Sequence, residues 1–511
     1  MKEKAEPVQK LYTRMRLWEF PDEYVIEPTD GSSASSSLSI SLVDASMKLI
    51  DSIPECSSFR VPKIQMIFGV VGMLKLVAGS YLFVITERKC VGSYLGHPIF
   101  KIISLKVLPC VHSVKNSTPE QKKLENEFSR LLKVAERTTG LYFSYDTNLT
   151  LSTQRLYDLG NESKMLPLWR QAEPRFLWNS YMLEALIDKK SYCYYLYPLK
   201  GTRMWRRGAD REGHVANFVE TEQIIQINGF TSSFVQVRGS IPFLWEQIVD
   251  LTYKPKFEIV RPEQAPQIAE RHFLDLRKMY GSVLAVDLLN KICGHVHFER
   301  LSFLYDQIAD FLVKNGYFLL NEESEKMEQL GVVRTNCIDC LDRTNITQSM
   351  IARKILELQF RRIGVFAAEE TISSHPKLDR CFRILWANHG DDISIQYAGT
   401  AALKGDLVRS GQRRVQGILK DRYISLKRYY LNNFSDGTKQ DAFDLLQGHY
   451  KVSVGGDITP PSQKGGLEAI ASFPLALCLV LIALLLTTMS LGQCELTRAP
   501  PYDYRVAGNR D

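Results

Sequence analysis

The spacing of apolar positions divides the chain into regions of different period. Between Lys63 and Cys110, runs such as Tyr81-Leu82-Phe83-Val84-Ile85 and Ile99-Phe100-Lys101-Ile102 are rich in β-branched and aromatic residues and broken by glycine, which predicts strands. Upstream, the Ser-rich stretch from Ser32 to Ser41 reads as a loop. A helix follows the strands: Thr118 can cap it, Pro119 suits its first turn and Gln121 completes a capping box. Leu124, Phe128, Leu131, Leu132 and Ala135 recur on one face, so this helix packs on the sheet. Residues 1 to about 150 therefore read as a mainly β N-terminal module.

From Arg175 to Tyr450 strands and helices alternate, as in an α/β catalytic domain occupying residues 151–455. Strands fit Phe234-Val235-Gln236-Val237 and Tyr317-Phe318-Leu319-Leu320; helices fit Pro262 to Met279 and Thr344 to Arg362. No internal repeat is visible. After a linker over 456–472 the chemistry changes. No charged residue lies between Glu468 and Glu495, and Phe473 to Leu491 is almost wholly apolar. As a helix this run spans roughly 28 Å, about one hydrocarbon core, which predicts a tail-type transmembrane helix over 473–491 and a tail over 492–511. The polar start, Met1 to Lys10, does not resemble a secretory signal.

Composition adds little. Of 511 residues, 45% are hydrophobic and 24% charged, ordinary for a globular protein. A net charge of +7 suits anionic partners such as phospholipid headgroups, and is far from a nucleic-acid footprint. Ten cysteines without a repeating interval read as a reduced, cytosol-facing chain.

Candidate chemistry concentrates in Gly331-Val332-Val333-Arg334-Thr335-Asn336-Cys337-Ile338-Asp339-Cys340-Leu341-Asp342-Arg343-Thr344-Asn345. Five residues separate Cys337 from Arg343, a spacing that this many cysteines would produce by chance with roughly even odds. The setting strengthens it. An apolar strand, Leu330 to Val333, leads in, and Ile346, Met350, Ile351, Ile355 and Leu358 mark a helix leading out. A loop between strand end and helix start points N–H groups at one spot, where the helix dipole also favours an anion. The same field favours the thiolate of Cys337, the attacking form. Arg343 can grip two phosphate oxygens in a planar fork, and Thr344 can donate its hydroxyl to sulfur or phosphate. Asn336, Ile338, Cys340, Leu341 and Thr344 are the candidate substrate contacts. The chemistry is covalent phosphoryl transfer through a phosphocysteine. Cys337-x-x-Cys340 also fits a redox dithiol or half a zinc site, with Cys293-x-His295-x-His297 as further ligands, and a packing loop is the third reading.

At this segment the chain resembles the Sac-domain (suppressor-of-actin type) phosphoinositide phosphatases, whose signature is the same Arg-x-Asn-Cys-x-Asp-Cys-Leu-Asp-Arg-Thr-Asn string. Arg175-Phe176-Leu177-Trp178-Asn179, Trp205-Arg206-Arg207-Gly208, Gln236-Val237-Arg238-Gly239-Ser240-Ile241-Pro242 and Trp386-Ala387-Asn388-His389-Gly390-Asp391 are similar to further family motifs. The text is most like the plant members of the root-hair-defective type that end in membrane spans. The resemblance implies a Sac N-terminal module, a catalytic α/β domain and dephosphorylation of phosphatidylinositol monophosphates, chiefly the 4-phosphate. It implies the cytosolic face of endoplasmic reticulum or secretory membranes, and no metal or other cofactor. Cys337 carries over as nucleophile and Arg343 as phosphate ligand. Asp339 and Asp342 are alternative proton donors, each also readable as a loop-shaping carboxylate. Departures from the family are a short Tyr-rich bridge between Ile187 and Gly201, a shortening just before Cys293, and one C-terminal span in place of two. A catalytically weak phosphoinositide-binding adaptor and a protein-tyrosine phosphatase are the competing readings. The basic tract Arg203, Arg206, Arg207 and Arg211 fits either lipid headgroups or a solvated face.

Overall fold

A computed structural model describes residues 11–30, 36–55, 61–76, 79–110, 118–184, 186, 201–247, 257–288, 298–321, 326–338, 341–412 and 414–449. Two antiparallel sheets pack face to face at the N-terminal end. One contains Met15–Glu19, Glu23–Pro28, Ser37–Ser41, Met47–Ile50 and Lys63–Ile67; the other contains Gly69–Lys75, Ser80–Tyr94, His97–Pro109 and Tyr142–Phe143. Leu17, Ile26, Ile40 and Ile67 of the first meet Leu82, Val84 and Leu108 of the second. The Ser-rich stretch is thus not a loop where it is described, because Ser37–Ser41 is a strand. Its alternation supplies Ile40 to the core while the small Ser39 fits a fully covered position, and composition alone hid that period.

The helix Pro119–Glu136 covers the outer face of the second sheet, with the Lys122 N–H donating to Thr118 O at 3.0 Å in its first turn. Phe128, Leu131, Leu132 and Ala135 are buried against Phe83, Ile85 and Leu105, as their spacing predicts. The same core takes in Met182 and, from far along the chain, Ala442, Leu445 and Leu446 of the helix Asp436–Leu446. A cavity of about 300 Å³ lies beside this core, lined by Phe83, Leu105, Phe176, Trp178, Phe218 and Gly201 among others.

The central sheet of the remaining chain orders Ser282–Asp287, Gly331–Cys337, Phe230–Ser240, Phe318–Asn321 and Lys326–Met327, with Val219–Ile227 also paired to Phe230–Ser240. The first three strands run parallel. Their side chains alternate between two helical layers, as a sheet covered on both faces requires. Phe234 and Val333 face Ile351 and Ile355 of the helix Asp342–Arg362, together with Ile308 and Leu312 of Phe298–Asn315. Val235, Val237 and Val332 face Leu276 of Ala265–Tyr280.

Alternation of strand and helix stops at Asp342. From there to Leu446 the described elements are helices, including Pro376–Ala398, Gly405–Ser410 and Val415–Phe434. They stack on one another: Ala352, Leu356 and Phe360 bury against Phe366, Ile372, Phe382 and Trp386. Among the described residues no helix is long and apolar enough to cross a membrane; the apolar run 473–491 lies outside them, as do Cys293, His295 and the bridge 187–200.

Candidate functional site

Parallel pairing brings three strand ends to one level. Cys337, the last residue of its strand, is opposite Ser240, and Asn336 is opposite Asp287. In an open α/β sheet the crevice beyond such carboxyl ends is where ligands bind. Five residues after Cys337 the helix Asp342–Arg362 begins, its first turn closed by the Asn345 N–H donating to Leu341 O at 2.9 Å. The positive end of a long helix therefore faces the strand ends. Asp339 and Cys340 lie outside the described residues, as does the side chain of Cys337.

Two fully buried arginines flank this level on opposite faces of the sheet. Arg334 donates to Gly239 O at 2.9 Å, Ser240 O at 2.7 Å and Thr335 O at 3.0 Å, and also to the side chain of Asn336. Its Nε lies 3.2 Å from His272 Nε2, while His272 Nδ1 pairs with Gly213 O at 2.9 Å. Burial, and next the Arg334 charge, drive the His272 pKa down to about 3. On the other face Arg238 Nη1 donates to Asn345 Oδ1 at 2.5 Å. Nearby His389 pairs with Thr221 Oγ1 at 3.0 Å, and burial, then Arg238, bring its pKa down to about 3. Both histidines stay neutral, so neither adds a charge beside its arginine. The guanidiniums of Arg238 and Arg334 make the strand ends electropositive, which suits an anionic substrate and a thiolate.

Arg343 reaches back across the helix start and donates from Nη1 to Leu288 O at 2.8 Å, one residue past the end of Ser282–Asp287. Thr344 is fully buried, and its hydroxyl oxygen has no hydrogen-bond partner among the described residues. Of the other expected contacts, Asn336 is occupied by Arg334, and Ile338 O accepts from the Ser240 hydroxyl at 3.4 Å. Leu341 packs into a core cluster with Ile393, Tyr397 and Ala398. Asp342 is held from outside the loop: its Oδ1 accepts the Leu403 N–H at 2.6 Å, and its Oδ2 lies 3.6 Å from Arg428 Nη1.

Two glycines make room for this arrangement. A Cβ on Gly390 would come within 2.5 Å of the Asn345 amide nitrogen, and one on Gly239 within 2.6 Å of Val215 Cγ2 and 3.0 Å of Arg334 Nη2. Two members of the basic tract are engaged in packing. Arg206 pairs with Asp444 at 2.6 Å, and the buried Arg207 donates to Gln247 at 2.8 Å and lies over the Trp245 ring. Arg238, Asn345, His272, His389 and Arg428 escaped assignment from the sequence. The available signal was a lone charge in an otherwise uncharged strand, at Arg238 and at Arg334.

The histidines give stability a sign with pH. Unfolded, each titrates near 6.5, whereas His389 in the fold titrates near 3. The unfolded chain therefore takes up the proton first, and stability is complete above about pH 6.5 and drains as pH falls toward about 3. We predict that His389→Gln loses about 2 kcal/mol less than the wild type between pH 7.5 and 5.0 in urea unfolding. Equal losses would show that His389 does not carry this dependence.

The chain matches the SacI homology domain model over residues 68–200 and 197–330. It is 64% identical to "Phosphoinositide phosphatase SAC7" of Arabidopsis thaliana, with 96% of this chain and 92% of the relative covered. It is 43% identical to "Phosphoinositide phosphatase SAC8" of the same plant, covering 95% and 91%. With "Phosphatidylinositol-3-phosphatase SAC1-A" of Danio rerio it shares 33% identity over 88% and 86%. The first alignment runs over 552 positions against 511 residues here, so that relative has segments without a counterpart in this chain. With this likeness over nearly its whole length, and with strand ends and a helix start arranged for an anion, the chain belongs to the Sac-domain phosphoinositide phosphatases and is an enzyme of that class.

Proposed function

We propose that the enzyme hydrolyses phosphatidylinositol monophosphates, chiefly the 4-phosphate, through a phosphocysteine on Cys337. The observation that carries this reading is the register that ends the Cys337 strand level with Ser240 and Asp287 beneath a helix start, with Arg343 reaching back over it. The Cys337 thiolate attacks phosphorus, the S–P bond forms and the P–O bond to inositol breaks. The leaving oxygen takes a proton from a carboxylic acid. Water then attacks the phosphocysteine, releasing phosphate and restoring the thiolate. Arg343 and the helix N–H groups hold the phosphoryl oxygens, and the buried Thr344 hydroxyl is available to the departing sulfur. Asp342 already accepts an N–H and faces a guanidinium, which favours Asp339 as the donor.

The domain plan that fits is a Sac N-terminal module over 1–150, a catalytic domain over 151–455, a linker over 456–472, a transmembrane helix over 473–491 and a tail over 492–511. The helix would hold the catalytic domain on the cytosolic face of endoplasmic reticulum or secretory membranes. Resistance of the chain to carbonate extraction is expected, and its release into the supernatant would contradict the anchor. Shortening at 188–201 is in keeping with the two family-model matches meeting at 197–200 and with the cavity bordered by Gly201, while that near 291 rests on the family resemblance alone. Phe176, Trp178 and Phe218, half-buried beside this cavity, forgo part of the roughly 1.5–3 kcal/mol that full burial of each contributes, a loss that favours the catalytically weak adaptor as the second reading. Inserting a relative's longer segment after Ile187 should raise both the melting temperature and turnover. Equal values would make the bridge a harmless deletion.

Phosphate release from a phosphoinositide panel containing 3- and 4-phosphates tests the reaction itself. Cys337→Ser should abolish turnover, and retention of more than about a hundredth of the wild-type rate would sink the nucleophile. Arg343→Lys keeps the charge but loses the fork, and should slow turnover on the order of a hundredfold. Chelators should leave the wild type unchanged; inhibition reversed by added zinc would favour the metal reading instead.

A further inference from the structure

The helix Val415–Phe434 has two faces with opposite roles. Ile424, Arg428 and Asn432, four residues apart, are buried. Arg428 donates to Thr400 Oγ1 at 3.0 Å and to Ser394 Oγ at 3.1 Å, and its Nη1 lies 3.6 Å from Asp342, the first residue of the helix after the Cys337 loop. Asp421, the one acidic residue of the Val415–Phe434 helix, turns toward the fold and accepts the Lys404 N–H at 3.0 and 3.1 Å.

At 100° per residue the diametrically opposite arc is occupied by Val415, Leu419, Tyr423, Leu426 and Tyr430. These five are 74, 45, 64, 38 and 50% exposed. Exposed Lys420 and Lys427 border this crest on one side and exposed Arg422 on the other. A continuous apolar crest on a soluble face is costly to leave in water and marks an interaction surface. Aliphatic and tyrosine side chains at the apex, cations on both flanks and no acid on the exposed arc match the layered chemistry of an anionic bilayer surface. There the apolar crest enters the acyl boundary while Lys and Arg reach the phosphates.

We propose that this helix face docks on an anionic membrane and, through Arg428 and Asp342, sets the orientation of the strand-end site toward the lipid. The orientation part rests on the lipid-phosphatase reading above; the docking part does not. The surface is distinct in sequence from the proposed span at 473–491, and an anchored chain still needs its catalytic domain turned toward the bilayer.

The test uses the full chain reconstituted in phosphatidylcholine vesicles with or without phosphatidylserine, and the triple variant Leu419→Glu, Tyr423→Glu, Leu426→Glu. On phosphoinositide within phosphatidylserine vesicles the variant should lose about tenfold in rate. On a soluble short-chain phosphoinositide it should stay within about twofold of the wild type. In a separate variant, Tyr423→Trp, brominated lipid should quench the added fluorescence, more strongly with phosphatidylserine present. Equal rates on vesicles, or equal losses on both substrates, would overturn the proposal. So would absent quenching, including the case in which the triple variant instead abolishes self-association of the wild type. If the wild type turned over neither substrate, the phosphatase reading would fail, and quenching alone would decide the docking.

Discussion

The site depends on a backbone register. Because Gly331–Cys337 runs parallel between Ser282–Asp287 and Phe230–Ser240, three strands end together and a long helix starts beside them. Moving the central strand by one residue would exchange the faces of Val332 and Val333, putting each against the wrong helical layer. Core packing thus fixes the level at which Cys337 leaves the sheet. The buried arginines strengthen that choice. Arg334 stitches its own strand end to the carbonyls of Gly239 and Ser240, and Arg238 ties the neighbouring strand to Asn345 in the first turn of the helix. Removing a hydrogen-bond partner from a buried charged group typically costs about 1.5–3 kcal/mol, an appreciable part of a domain's margin.

The helix start is held from three sides. Arg238 grips Asn345 from the sheet, Gly390 lets the Pro376–Ala398 helix approach that same asparagine, and Leu403 with Arg428 fixes Asp342. Each of these contacts reaches the helix start from more than forty residues away in sequence, which explains why family-like motifs outside the loop are mostly scaffold. Arg175 pairs with Asp275 at 2.6 Å, Asn179 donates to Val71 O at 2.7 Å, and Trp386 donates to Gln223 at 3.1 Å. Each holds one layer against another. Positioning a reactive group to within a fraction of an ångström requires such support.

Local pattern was enough to read the helix beginning at Pro119 and the strand–loop–helix order around Cys337, because helical period and capping residues are written into neighbouring positions. It was not enough for Ser37–Ser41, where serine-rich composition masked a two-residue period. Nor did it separate roles among charged residues. Arg206 and Arg207 fitted a headgroup or a solvated face, and only the fold gives them Asp444 and Gln247, 238 and 40 residues along the chain. Asp342 and Asp339 were equivalent as text, and only the fold supplies Asp342 with Leu403 and Arg428. Long-range partners decide what a polar residue does, and periodicity carries no record of them.

The covalent step can be observed directly. Mixing the enzyme with phosphatidylinositol 4-phosphate, quenching in acid within the first turnovers and mapping peptides by mass spectrometry should find a phosphoryl group on Cys337. The Arg343→Lys enzyme should accumulate less of it. A phosphoryl group on another residue, or turnover with none on any residue, would contradict the assignment of Cys337 as the nucleophile at the strand end.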